Sequence, residues 1–314
     1  PTGGLPLDVG AVVSNVSTFV NIADALEGKP VIDKFVTVGG EVKSPKTVRV
    51  PIGTPISKLI EAAGGPADMN GYTVVLGGPC MGKLTKDLST PVTKTTGGIL
   101  IFEDSHPLIA QKTDDVERDI KLARAVCCQC SMCTQLCPRN ALGLNVQPHK
   151  AMRAAAQNNG KLLGDVNGIF SCCDCGVCTY YACNFGLSPS RMMQRMKAGL
   201  AKEGIRPKKE VFTTVDPGID GKRVPVSRLI ARLGISKYDV AAPMEEALMS
   251  ADRVVIPLKM HIGAPAVPVV AEGAMVNAGD LIAEIKEGAL GARVHASISG
   301  RVAKVTDMAI EIQA

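Results

Sequence analysis

Alternating apolar and polar residues in the first third of the chain predict a small mixed domain. Four short strand patterns, rich in β-branched and aromatic residues, lie at 35–38, 47–50, 72–76 and 99–102. Between the second and third patterns, Ile56, Leu59 and Ile60 recur on one face of a helix predicted over 56–63, which a Gly-Gly pair ends. Strands grouped around one helix predict an α+β domain.

The middle of the chain changes to helical periodicity, and the end returns to strands. Helices are predicted over about 114–126, 148–157 and 190–202, of which the first and third have an apolar side. A stretch rich in Lys, Gly, Pro and Asp predicts a linker over 204–225, followed by a short helix around 226–233. After residue 253, short apolar runs alternate with glycines, which predicts an all-β module.

Composition excludes some classes of function. Aromatic residues make up 3% of the 314 residues and Trp is absent, which argues against stacking platforms for single-stranded nucleic acid. The formal net charge is +5 and the basic residues are scattered, so we expect no nucleic-acid partner. No apolar run reaches about 18 residues, so we expect no membrane span. Because the first residue is Pro1, we expect the sequence to begin inside a longer chain.

Ten of the eleven cysteines lie in two dense groups, and their spacing carries the clearest chemical signal in the chain. The first group reads Cys127-x2-Cys130-x2-Cys133-x3-Cys137-Pro138. The second reads Cys172-x2-Cys175-x2-Cys178-x4-Cys183, with one more residue before its last cysteine and no proline after it. The first spacing is that of bacterial ferredoxins, in which the fourth cysteine of each run ligates the other cluster of the pair.

We therefore predict two [4Fe–4S] clusters with crossed ligation. The predicted ligands of the first cluster are Cys127, Cys130, Cys133 and Cys183. The predicted ligands of the second cluster are Cys172, Cys175, Cys178 and Cys137. The alternatives are structural zinc, which uses pairs of cysteines rather than triplets, and disulfides, which dominate in small secreted chains.

The remaining cysteines and the histidines predict no further site. Cys128 and Cys173 each follow the first ligand of a run directly, and adjacent side chains diverge, so we expect buried thiols at both positions. Cys80 is expected to be a packed thiol as well. No nucleophile–base pair and no pair of carboxylates stands out, so we expect no catalytic side chain.

The last part of the chain resembles a biotinyl/lipoyl-like barrel-sandwich domain, on the stretches GAMVNAGDLI at 273–282 and VHASISGRV at 294–302. Other stretches resemble the cobalamin reductases of propanediol-utilisation microcompartments, in the family of the Rnf-complex C subunit. These stretches are GGLPLDVGAVVSNVST at 3–18, VTVGGEVKSPKTVRVPIGTPISKLIEAAGG at 36–65, VVLGGPCMG at 74–82, VPVSRLIARLGISKYD at 224–239 and LKMHIGAPAVPVV at 258–270.

This resemblance implies an α+β multidomain fold with a β-grasp domain of the SLBB type, a bacterial-ferredoxin-like α-helical domain with two clusters, and a C-terminal barrel-sandwich module. The implied ranges are 1–30 for the end of a flavin-binding domain, 31–105 for the SLBB domain, 106–203 for the two-cluster domain, 204–252 for a linker with a short helix, and 253–314 for the barrel-sandwich domain.

The resemblance also implies a reaction. Electrons from NADH pass through noncovalent FMN and the two clusters to the cobalt of cobalamin, which recycles a B12 cofactor during propanediol degradation. The FMN belongs to the full-length protein, because the family's Gly-rich flavin segment precedes the GGLP stretch. In the family, the Asn of an NVET motif lies near the flavin, and the motif here reads Asn15-Val16-Ser17-Thr18 without its acidic residue. Asn15 is therefore the candidate FMN contact, although a helix-capping or turn role explains it equally well.

The implied partners are cobalamin or a cobalamin-handling enzyme such as an adenosyltransferase, together with shell or cargo proteins of a microcompartment in the bacterial cytoplasm. Two other functions stay open. One is an electron-input component of a membrane ion-pumping complex, as in the Rnf family, and the other is a ferredoxin-like electron carrier without a substrate of its own. In the Rnf protein the barrel-sandwich module precedes the flavin domain, whereas here it follows the clusters, which favours the reductase.

Overall fold

The computed structural model describes residues 4–113, 115–209 and 214–314. The α-helices are α1 (Val16–Leu26), α2 (Ile56–Ala62), α3 (Pro107–Lys112), α4 (Val116–Val126), α5 (Met132–Gln135), α6 (Pro138–Ala141), α7 (Pro148–Gln157), α8 (Val166–Phe170), α9 (Pro189–Lys202) and α10 (Val226–Leu233). The strands are β1 (Asp33–Gly40), β2 (Lys46–Pro51), β3 (Tyr72–Leu76), β4 (Lys83–Thr85), β5 (Gly98–Glu103), β6 (Met244–Leu248), β7 (Arg253–Pro257), β8 (Val267–Pro268), β9 (Met275–Val276), β10 (Leu281–Glu284), β11 (Val294–His295), β12 (Gly300–Val305) and β13 (Ala309–Gln313).

These elements form two units. The first unit contains the described residues up to Val13 together with Ser105–Asp239, and it holds both cysteine runs. The second unit contains Ser14–Asp104 and Val240–Ala314, and it holds the sheets. In the parts of the chain that the structure describes, no helix is both long and apolar enough to cross a membrane.

A six-stranded sheet with one helix forms the first part of the second unit. Its strand order is β4-β3-β5-β1-β2-β6, in which β1 runs antiparallel to β2 and parallel to β5. Ile56, Leu59 and Ile60 of α2 are buried against the valines and isoleucines of these strands. The apolar face that predicted the helix from its spacing is therefore the face that covers the sheet.

The strand β6 joins this sheet from the range 204–252 that the sequence analysis assigned to a linker. It runs parallel to β2, and the amide of Met249 donates to the carbonyl of Arg49 at 2.8 Å. All five residues of β6 are exposed. The pattern of buried apolar residues that identifies a strand in a sequence is therefore absent there, and backbone pairing alone defines the element.

Two small sheets close around a second core in the same unit, with the orders β11-β10-β8 and β7-β13-β12-β9. Ile52, which follows β2, belongs to this core, and its carbonyl accepts a hydrogen bond from the buried Ser297 hydroxyl at 2.5 Å. Gly53 comes next with φ 93°, and a Cβ there would lie 2.9 Å from the carbonyl oxygen of Val255. This close approach requires glycine and joins the two cores of the unit.

The first unit is helical, and α4, α7 and α9 pack around its core. Met192 and Met193 of α9 are fully buried there, which assigns the methionine side of the helix to the core. The helix predicted to start at residue 114 begins in the structure at Val116, with Asp115 as its cap, and residue 114 itself lies outside the described residues. The two cysteine runs begin as loops where α4 and α8 end, and then enter α5 and the helical turn Cys178–Ala182.

Candidate iron–sulfur site

The two cysteine runs share a backbone conformation. Gln129 and Ser131 in the first run have φ angles of 56° and 60°, and Asp174 and Gly176 at the equivalent positions of the second run have 57° and 76°. Left-handed residues at alternate positions curl each loop around a concave centre. For a residue other than glycine this conformation costs about 1–2 kcal/mol. Strain of this kind is kept at functional sites, where the surrounding structure enforces it.

The first cavity brings together the four cysteines predicted for the first cluster. Cys127, Cys130 and Cys133 from the first run and Cys183 from the second all line it. Its other walls include the side chains of Met152, Phe185 and Leu187, which give the cavity an apolar rim. Cys183 reaches the first cavity after one wide helical turn, Cys178–Ala182, and its own backbone is extended.

The second cavity brings together the other four predicted ligands. Cys172, Cys175 and Cys178 from the second run and Cys137 from the first line it. Cys137 is the residue before α6, whose first residue is Pro138. Each cavity thus receives three predicted ligands from one run and the last cysteine of the other, and Cys128 and Cys173 line the first and the second cavity as well.

The buried thiols of these cavities hold their protons more tightly than ordinary cysteines. Burial raises the pKa of Cys133 to about 12, and the neighbouring Cys183, Cys127 and Cys130 contribute to the same rise. Burial likewise raises the pKa of Cys172 to about 12. Metal ligation requires thiolates, so iron must supply the positive charge that four clustered thiolates need. This donor set of four converging sulfurs fits a cubane.

The described cysteines do not form a site for a single ion. No three His, Cys, Asp or Glu side chains in the ranges 4–113, 115–209 and 214–314 converge closely enough to hold one metal ion. A [4Fe–4S] cluster differs from a single ion in that its four thiolates are bound to separate irons of one larger body.

Polar groups outside the predicted ligand set contact both runs. The Nε2 of Gln129 donates to Sγ of Cys127 at 3.1 Å. The Nζ of Lys197 donates to the carbonyl of Cys172 at 2.7 Å, and Nη2 of Arg232 donates to the carbonyl of Cys183 at 2.8 Å. Sequence reasoning missed these groups because Lys197 and Arg232 come from α9 and α10, far from the cysteine motif. Donors and charges of this kind tune a cluster.

The cysteines outside the predicted ligand set differ from one another. Cys128 is exposed, so the expectation of a buried thiol is wrong there, and it lies at the edge of the first cavity. Cys173 is half-buried at the second cavity. Cys80 is half-buried in the second unit. Nδ1 of His149 shares a hydrogen bond of 2.7 Å with the hydroxyl of Thr134, and this contact links α7 to the first run.

Asn15, the candidate FMN contact, lies at the N-cap of α1. Its Oδ1 accepts hydrogen bonds from the amide of Ser17 at 3.1 Å and from the hydroxyl of Ser17 at 2.9 Å. The structure thus gives the side chain a capping role. The FMN contact stays a prediction.

Three separate parts of the chain match known domain families. The SLBB domain matches residues 35–83, the 4Fe-4S dicluster domain matches residues 126–188, and the RnfC barrel sandwich hybrid domain matches residues 237–314. The dicluster match contains all eight predicted ligands. The predicted α+β fold class with these three kinds of domain is thereby confirmed, and so are the iron–sulfur clusters as cofactors.

Curated relatives extend the match over nearly the whole chain. The chain is 40% identical over 309 residues to cobalamin reductase PduS of Salmonella typhimurium, covering 98% of this chain and 68% of that protein. It is 38% identical over 313 residues to cobalamin reductase PduS of Citrobacter freundii, covering 99% and 69%. A shorter match, 35% identical over 167 residues, links it to a component of the proton-translocating ferredoxin:NAD(+) oxidoreductase complex of Clostridium ljungdahlii, covering 52% and 34%.

Proposed function

This chain belongs to the family of cobalamin reductase PduS, and we propose that it delivers single electrons through two [4Fe–4S] clusters to the cobalt of cobalamin. It is an oxidoreductase of the iron–sulfur electron-transfer class. The observation that carries the proposal is the pair of cavities, each of which contains four predicted ligands drawn from both runs. We assign Cys127, Cys130, Cys133 and Cys183 to one cluster and Cys172, Cys175, Cys178 and Cys137 to the other.

The chemistry of cobalt reduction suits this arrangement. A [4Fe–4S] cluster exchanges one electron at a time, and each reduction step of cobalamin takes one electron. The protein residues hold the thiolates and place hydrogen-bond donors on the sulfurs and on the backbone of the runs. No acid, base or nucleophile is needed, which agrees with the absence of such a pair from the sequence. Upstream, we propose NADH as the electron donor and FMN as the group that splits its electron pair.

The share of the chain that each relative matches favours a reductase over a component of a membrane complex. The PduS proteins match 98% and 99% of the chain, whereas the oxidoreductase-complex protein of Clostridium ljungdahlii matches 52%. The barrel-sandwich match follows the dicluster match along the chain, at 237–314 after 126–188. We propose cobalamin, or an enzyme that handles it, as the partner, and a bacterial microcompartment as the location.

Single-turnover reduction tests this function. The protein with both clusters is reduced with dithionite under anaerobic conditions, freed of reductant and mixed with hydroxocobalamin. We expect the clusters to reoxidise as cob(II)alamin forms, about two per chain because each cubane gives up one electron. The matched control is the double variant Cys133→Ala, Cys178→Ala, which removes one predicted ligand from each cluster. This variant should form no cob(II)alamin. Clusters that stay reduced in excess hydroxocobalamin would exclude the reductase.

A further inference from the structure

A cleft of about 320 Å³ opens beside the first cysteine cavity, within the first unit. The helix α10 forms one wall, and α5 with the turn Cys178–Ala182 forms the other. The residues that line it are Met132, Leu136, Tyr181, Ala182, Asn184, Arg228 and Arg232. The cleft therefore combines an apolar floor with one amide, one phenol and two guanidinium groups.

The two arginines make this cleft cationic. Arg228 and Arg232 lie four residues apart on α10, so both side chains occupy one face of the helix. Nη2 of Arg232 donates a hydrogen bond to the carbonyl of Cys183 at 2.8 Å. Among the residues that the structure describes, no carboxylate forms an ion pair with either guanidinium. An arginine carries five N–H donors in a planar fork, which suits the oxygens of a phosphate.

The cleft lies against the more exposed of the two cysteine cavities. Met132 and Ala182 in its wall directly precede Cys133 and Cys183, which line the first cavity. In that cavity Cys130 is exposed and the other three predicted ligands are half-buried. In the second cavity Cys137 and Cys178 are each only 8% exposed. An electron acceptor in the cleft thus approaches the cluster that the protein shields least.

We infer that Arg228 and Arg232 form a seat for the phosphodiester of the nucleotide loop of cobalamin, which docks the corrinoid beside the first cluster. This inference rests on the proposed function and adds a binding site to it. The volume suits a phosphate with its sugar rather than a whole corrin ring, so the ring lies outside the cleft. The apolar floor of Met132, Leu136 and Ala182 contacts the sugar side of the loop.

Equilibrium dialysis of hydroxocobalamin against the oxidised protein with both clusters tests the seat without electron transfer. Arg228→Gln removes the guanidinium that makes no contact with a predicted ligand. We expect it to weaken binding about tenfold, as for loss of one hydrogen-bonded charge. The matched control is Arg223→Gln, which neutralises an exposed arginine that pairs with Asp220 outside the cleft and should leave binding unchanged. Equal binding by Arg228→Gln and the unaltered protein would overturn the inference.

Cobinamide keeps the corrin ring and cobalt but lacks the nucleotide loop. It therefore tests whether Arg228 recognises the phosphodiester or another part of cobalamin. We expect the unaltered protein to bind cobinamide at least tenfold more weakly than hydroxocobalamin, and Arg228→Gln, which keeps only Arg232 of the seat, to show a smaller preference. If Arg228→Gln weakens cobinamide as much as hydroxocobalamin, the arginine does not recognise the phosphodiester. Tight, Arg228-dependent binding without cobalt reduction would keep the seat and reject the proposed function.

Discussion

Gln129 and Asp174 occupy the same position in the two cysteine runs, with φ angles of 56° and 57°, but they present opposite chemistry to the sulfur beside them. Nε2 of Gln129 donates to Sγ of Cys127 at 3.1 Å, whereas the carboxylate Oδ1 of Asp174 lies 3.5 Å from Sγ of Cys172. Nζ of Lys197 lies 3.5 Å from the same carboxylate. The pseudo-symmetry of the two runs is therefore broken next to the predicted ligands.

This difference predicts separate control of the two reduction potentials. Hydrogen bonds to sulfur and nearby positive charge raise a cluster potential, and negative charge lowers it. We expect Asp174→Asn to raise the potential of the cluster at Cys172 by about 60 mV, which corresponds to about 1.4 kcal/mol for one electron. Gln129→Glu should lower the potential of the cluster at Cys127 by a similar amount. Redox titration followed by electron paramagnetic resonance resolves the two.

Each of these variants serves as the control for the other, because neither side chain lies in the other run. Lys197→Met adds a third test, since removing its positive charge should lower the potential of the cluster at Cys172. A shift of both clusters by one substitution, or of neither, would mean that these side chains do not set the difference.

Crossed ligation predicts which cluster suffers when a terminal cysteine is lost. Cys183 lines the cavity of Cys127, Cys130 and Cys133. Cys183→Ala should therefore damage that cluster more than the one at Cys172, as measured by Mössbauer or paramagnetic resonance spectra of the intact protein. Cys128→Ala, which removes an exposed thiol from the same loop, should leave both clusters intact. Selective damage to the cluster at Cys172 would show that each run ligates its own cube.

A buried ion pair fixes the helix before the first run to the helix after the second. Arg191 of α9 makes two hydrogen bonds to Asp119 of α4, at 2.7 and 2.8 Å, and Asp119 is 4% exposed. Burial alone would raise the pKa of Asp119, but the guanidinium groups of Arg191 and Arg195 together with the Ser188 hydroxyl outweigh it and hold this pKa below its usual value. The carboxylate is therefore charged near neutral pH and depends on its partner.

We expect Asp119→Ala to lower the free energy of unfolding by about 3 kcal/mol, because it leaves a guanidinium buried without its partner. Anaerobic urea denaturation followed by far-ultraviolet circular dichroism measures this change. Glu117→Ala, on the exposed side of the same helix, should change the free energy by less than about 0.5 kcal/mol. Equal losses from both variants would mean that the pair contributes nothing beyond the helix itself.

The sequence predicted those elements whose periodicity reflects burial. The helix expected at 56–63 is α2, whose Ile56, Leu59 and Ile60 are buried, and the strand expected at 72–76 is β3, with the same bounds. The helix α1 and the strand β6 were not predicted, because α1 has no buried residue and β6 is exposed along its whole length. Their apolar residues follow no pattern that a core imposes.

In the iron–sulfur site, too, some residues could be predicted from the sequence and others could not. The eight predicted ligands follow from spacing, because a cubane imposes a fixed separation on three of its cysteines and the fourth cysteine of each run ligates the other cluster. The surrounding donors could not be found in this way. Lys197 and Arg232 reach the runs from helices whose packing is set by the tertiary fold, and no local motif marks them. The left-handed backbone of Gln129 could not be predicted either, because glutamine rarely adopts this conformation.

The content of iron and sulfide tests the central claim most directly, since every step proposed above requires two cubanes. Protein purified without oxygen should contain about eight irons and eight acid-labile sulfides per chain. Reduction should produce two interacting paramagnetic signals. Stoichiometric zinc without sulfide in the intact, folded protein would contradict the account.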